Sequence, residues 1–111
     1  MVFLEGGRTL RSISETAQLA AVLQQMAELL KRHDQSRWAE RLDHCRVIIE
    51  NSDFHGVARL LELYRGRRSL NRVLLDLQAE NERFAALRGQ AWAMGMRLRS
   101  DARSRGARSS G

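Results

Sequence analysis

Apolar residues recur along most of this chain at intervals of three and four, the spacing of a helix with one buried stripe. The first such run holds Leu19, Val22, Leu23, Met26, Leu29 and Leu30. Ser12, with Glu15 three residues on, predicts its start as a capping box. Lys31, Arg32 and His33 predict its end, where cations suit the helix dipole. Asp34-Gln35-Ser36 is a short connection in which Ser36 can cap a second helix. That helix carries Trp38, Leu42, Cys45 and Ile49 in one stripe, with Arg37, Arg41, Asp43, Arg46 and Glu50 off it. Asn51-Ser52-Asp53 forms the next break.

A third helix is predicted from about Phe54 through Val57, Leu60, Leu61 and Tyr64, with Gly66 placed to follow it in the left-handed conformation. Ser69 then caps a fourth segment holding Leu70, Val73, Leu74 and Leu77, and the pattern permits a break near Asp76–Ala79. The last helix shows Phe84, Leu87, Ala91, Met94 and Leu98. This seam spans about two heptads, short of the three or four that indicate a coiled coil, so it reads as a core stripe. The predicted architecture is an all-α bundle of four to five helices over residues 12–99. An irregular arm precedes it at 1–11, and a disordered tail, which lacks large apolar residues, follows at 100–111.

Composition narrows this picture without changing it. The chain has 111 residues, 43% hydrophobic and 29% charged, enough for one modest core and too few for two. No apolar run approaches the ~20 residues of a membrane span. Met1–Leu10 lacks the apolar stretch of a secretory leader, and Cys45 is a lone cysteine, so a cytoplasmic setting is expected. Of the 19 basic residues all but Lys31 are arginine, a bias of the kind GC-rich bacterial coding sequences produce. The net charge of +6 is uneven: residues 1–82 hold 12 basic and 12 acidic residues, while 83–111 hold seven arginines against Asp101.

Candidate chemistry is sparse. His33, His44 and His55 recur every 11 residues, but predicted breaks separate them and no paired metal-ligand spacing occurs, so no metal or cofactor is expected. Cys45 adjoins His44, yet adjacent helical residues point about 100° apart, and Cys45 lies on the apolar stripe. It reads as a structural cysteine, and no catalytic residue is assigned. The unusual feature is the turn after the third helix, where Arg65, Arg67, Arg68 and Arg72 cluster. Arg72 is expected at the third position after the cap Ser69, where an acid is preferred and a cation costs about 0.3–1 kcal/mol. Such a conflict points to an acidic neighbour or partner.

The stretch Leu60-Leu61-Glu62-Leu63-Tyr64-Arg65-Gly66-Arg67-Arg68-Ser69-Leu70-Asn71-Arg72-Val73-Leu74-Leu75 resembles the centre of an uncharacterised bacterial domain-of-unknown-function family. In that family a leucine-rich helix precedes approximately Gly-Gly-Met-Gly-Ser-Phe-Asn-Asp-Leu-Val-Leu. The resemblance runs back through Trp38–Leu42 and Asp53–Val57, and forward through Asn81–Arg88 and Ala91-Trp92, over about residues 15–99. Gly66, Ser69, Leu70 and Asn71 fit the motif, whereas Arg65, Arg67, Arg68 and Arg72 replace Gly, Met, Gly and Asp. The resemblance implies a small helical bacterial protein with no assigned enzymatic activity.

Three functions follow as expectations. The first is a non-catalytic protein-binding protein, such as an immunity or antitoxin-like partner of a toxin. It would hold an acidic surface through Tyr64, Arg65, Arg67, Arg68, Asn71 and Arg72, since arginine and tyrosine are favoured interface anchors. The second is a nucleic-acid-associated protein using the turn and the basic tail. The third is an enzyme or ligand-binding bundle with Tyr64, His55 and Asn71 as its polar groups. Self-association through the Phe84–Leu98 seam and Trp92 is a further expectation.

Overall fold

The computed structural model describes residues 7–51 and 53–110, with side chains described over 15–51 and 53–102. Its helices are α1 (Gly7–Arg32), α2 (Ser36–Glu50), α3 (His55–Glu62) and α4 (Gln78–Ser110), with a single 3-10 turn at Leu70–Arg72 between the last two. The chain is all-α. The helices close a ring, in which α1 packs on α2, α2 on α3, α3 on α4, and α4 back on α1.

The apolar stripes meet inside this ring. Leu19, Leu23, Met26, Leu29 and Leu30 of α1 are almost wholly buried with Leu42 of α2, Leu60 of α3 and Phe84 of α4. On α2 Ala39 and Leu42 are fully buried, while the larger Trp38 is half-buried and packs against the core from its edge. The seam Phe84, Leu87, Ala91 and Leu98 is buried in the chain's own core. These positions are therefore the inner face of α4, while Met94 is half-buried and Trp92 is exposed.

The helix ends show where local chemistry outweighs spacing. α1 starts at Gly7, so Ser12 and Glu15 lie inside the helix and not at its start; residues 1–6 of the expected arm lie outside the described residues. It ends as expected at Arg32. Asp34 takes the left-handed conformation at φ 60°, Gln35 N–H donates to Leu30 O at 2.8 Å, and Asp34 N–H donates to Lys31 O at 3.4 Å. This is the Schellman arrangement, which satisfies two carbonyls that the helix itself leaves open. Gln35, not Ser36, occupies the N-cap position of α2, and its side chain makes no capping bond. Asp53 serves α3 instead: its Oδ1 accepts the His55 backbone N–H at 2.9 Å.

The expected fourth helix from Ser69 does not form. The chain makes one 3-10 turn, whose N-cap position is Ser69 without a side-chain bond, and continues extended from Val73. Alternation of faces then replaces helical periodicity. Val73 and Leu75 are buried and Leu74 between them is 72% exposed; Leu77, in the bend that follows, is 58% exposed. The permitted break near 76–79 is real: α4 begins at Gln78, and Asn81 Oδ1 reaches back to accept Leu75 N–H at 3.0 Å. The assigned bounds of α4 run to Ser110; of the expected tail, the side chains from residue 103 and the whole of Gly111 lie outside the described residues. No described helix is long and apolar enough to cross a membrane.

Candidate functional site

The arginine turn is held from inside. After α3, Leu70 N–H donates to Leu63 O at 2.7 Å, and Gly66 takes φ +86° between them. Ser69 and Leu70 are buried, as is Tyr64. Tyr64 Oη–H donates to the Arg88 carbonyl of α4 at 2.6 Å, and its ring lies 4.9 Å from that of Trp92 at a 52° tilt. Burial pushes the Tyr64 hydroxyl well above its ordinary pKa, outweighing the opposing field of Arg88. Tyr64 is thus a clamp between the turn and α4, not the exposed aromatic anchor that was expected. With the inner positions filled this way, Arg65, Arg67, Arg68 and Arg72 are left exposed.

These arginines do not all face the same way. Arg67, Arg68 and Arg72 line a groove of about 380 Å³ whose other side comes from the start of α2, with Arg37, Trp38 and Arg41. Arg37 and Arg41 are one helical turn apart and off the buried stripe, so both lie along the same flank of α2. The Arg41 guanidinium also sits over the Trp38 ring, 5.1 Å from its centroid. Leu74 completes the lining with its largely exposed side chain. Arg65 is exposed but does not line this groove, while Asn71 and Tyr64 line a separate hollow of about 310 Å³ with Arg88 and Trp92. Asn71 Nδ2 donates to Tyr64 O only at 3.5 Å.

Five arginines therefore line one groove from elements about thirty residues apart in sequence. Its lining contains no carboxylate, and among the described residues none of the five has a carboxylate oxygen within 4 Å. Two unit charges a Debye length apart, about 8 Å, repel by about 0.5 kcal/mol in water. The cluster is a modest cost that folding does not relieve. The helix-terminus penalty expected for Arg72 does not apply, because Arg72 ends a single 3-10 turn.

A wider groove of about 770 Å³ shares Arg37 and Arg41 but adds Glu40, His44, Arg59 and Glu62, so its charges are mixed. Cys45 borders it with a thiol pushed up to about 11, chiefly by burial. At neutral pH that thiol stays protonated, the wrong state for a nucleophile. The histidines are dispersed. His33 is 8% exposed with Nε2 3.3 Å from Glu80 Oε1, His44 is exposed on α2, and His55 Nδ1 lies 2.9 Å from Asp53 Oδ1. They form no three-ligand cluster among the described residues. His55 does not join Tyr64 and Asn71 in their hollow.

Sequence reasoning located Arg67, Arg68 and Arg72 but missed Arg37, Arg41, Trp38 and Leu74. Only the one-turn spacing of Arg37 and Arg41 was visible, and nothing local ties α2 to the later turn. The chain matches no family model, no curated protein and no solved structure.

Proposed function

We propose that this is a non-catalytic binding protein that holds an acidic surface of a larger protein against the arginine groove. An immunity or antitoxin-like partner of a toxin would act this way. The observation that carries the reading is the convergence of Arg37, Arg41, Arg67, Arg68 and Arg72 on a groove without a carboxylate. An acidic partner would supply the missing counter-charge, and arginine forks pair carboxylates in two-point fashion. The turn can serve as a rigid platform because Tyr64 ties it to α4.

The test is affinity capture from the native host with a photo-crosslinking residue at position 35, which also lines the groove, beside a variant with the same crosslinker that carries Arg67→Glu, Arg68→Glu and Arg72→Glu. The crosslinked species is expected to be an acidic protein, lost in the variant while both chains melt alike. Equal recovery by the variant would show that the groove is not the binding surface. Gel shifts with duplex and single-stranded probes at low salt decide the nucleic-acid alternative: retardation abolished by the same reversals would transfer the groove to that ligand.

A further inference from the structure

The groove has an apolar component that folding leaves unused. Leu74, at 72%, is the most exposed of the large hydrophobic side chains described, and Leu77 beyond it is 58% exposed. Leu74 faces outward because the extended run from Val73 turns alternate residues outward, and Leu77 lies beyond it in the bend before α4. Leu74 and the half-buried Trp38 line the same groove as the five arginines. A site for free anions or for a phosphate chain gains nothing from an exposed leucine between its cations. A protein segment that carries an apolar stripe flanked by acids uses both.

Resting on the protein-partner reading above, we propose that the groove docks an acidic amphipathic helix of the partner. Its apolar stripe lies on Leu74 and Trp38, and its flanking Glu or Asp side chains pair with Arg37 and Arg41 on one side and Arg67, Arg68 and Arg72 on the other. Charge complementarity selects this occupant, since both walls are cationic and neither contains an acid. The pitch also fits. Arg37 and Arg41 are separated by one helical turn, the spacing at which carboxylates four residues apart on a helix repeat. The neighbouring wider groove shares Arg37 and Arg41 but places Glu40 and Glu62 among its cations, so its charge is mixed. Helix-in-groove recognition reads its ligand through anchors at this same period.

The test uses the full chain carrying Trp92→Phe, which leaves Trp38 as the fluorescent reporter. The probe is a synthetic amphipathic peptide of about four helical turns with leucines on one stripe and glutamates flanking it. Its controls are a scrambled peptide of the same composition, a Glu-to-Gln version, and oligo(dT). The amphipathic acidic peptide is expected to shift Trp38 emission and to bind about tenfold more tightly than either peptide control, a difference of about 1.4 kcal/mol. Leu74→Ser and the pair Arg68→Glu/Arg72→Glu should each remove that preference while leaving the melting curve in place, as both sites are exposed. Equal binding of the scrambled peptide, no binding of any peptide, or tighter binding of oligo(dT) would overturn the proposal. If Leu74→Ser leaves capture of the native partner intact while the arginine reversals abolish it, the helix inference fails and the acidic-surface reading stands. If the reversals also leave capture intact, both fall.

Discussion

A close approach of α3 to α2 gives the sharpest test of the fold. Gly56, in the first turn of α3, is buried against the end of α2. A β-carbon there would lie 2.7 Å from Ile49 Cγ1, 2.9 Å from Ile49 N and 3.0 Å from Cys45 O. Two of these are backbone atoms of a packed helix, and the Ile49 side chain is β-branched and only 3% exposed, so none yields cheaply. Relieving the contact with Ile49 N alone requires α3 to withdraw by about 0.5 Å, from 2.9 Å to an ordinary 3.4 Å. Overpacking of this kind costs about 1–3 kcal/mol, offset by the 0.5–1 kcal/mol that alanine ordinarily gains over glycine within a helix. Gly56→Ala should therefore lose about 1–2 kcal/mol, a fall in Tm of about 5–10 °C for a domain this small. Gly89→Ala is the matched control. It sits on the exposed side of α4 with nothing within 4 Å of the added carbon, so only the propensity gain remains and stability should rise by about 0.5–1 kcal/mol. The assay is urea denaturation of both variants beside the parent. If Gly56→Ala proves as stable as Gly89→Ala, the close packing of α3 on α2 described here is wrong.

Other expectations follow from the turns and the buried polar groups. Gly66→Ala meets no atom but is forced to hold φ +86°, so it should cost about 1 kcal/mol in chemical denaturation, with Gly66→Asn costing less. Asp34 holds φ 60° at the end of α1, and Asp34→Gly should stabilise by up to about 1 kcal/mol by removing that strain. Tyr64→Phe removes the bond to Arg88 O while keeping the ring against Trp92; a loss of about 0.5–1.5 kcal/mol is expected in the same assay. Cys45 should resist thiol reagents at pH 7.5 until the chain is unfolded. Its native pKa of about 11 exceeds the ordinary 9.0, so its stabilising contribution is full below pH 9 and disappears as pH rises through about 11. Denaturation midpoints that do not fall across that alkaline range would contradict the burial.

Helices α1, α2, α3 and the body of α4 were legible because each buries one continuous stripe, and a stripe at helical period is a local property. The segment between Ser69 and Leu77 was misread for a physical reason. Leu70, Val73, Leu74 and Leu77 fit helical spacing, but in the fold Leu70 closes the turn onto Leu63 and Asn81 takes the Leu75 N–H, committing this backbone to partners outside itself. Helix termini fared worse than helix bodies: Ser12 lies inside α1, Ser36 is not at the N-cap position, and Ser69 is there without a side-chain bond. At the site, the turn stood out as an anomaly of charge. Its counterpart at Arg37 and Arg41 did not, because the two are joined only by the packing of α2 and α3. Tyr64 was placed outward because sequence records its aromatic character but not the distant carbonyl that captures its hydroxyl.

The bond from Leu70 to Leu63 sets apart two kinds of position in one short loop. Tyr64, Ser69 and Leu70 face inward and hold the loop's shape, while Arg65, Arg67 and Arg68 contribute nothing to the core. A lineage can therefore rewrite the outward letters without renegotiating the fold. Such a loop uncouples shape from surface: its inward residues set the backbone path, and its outward charges can be exchanged at little cost to stability.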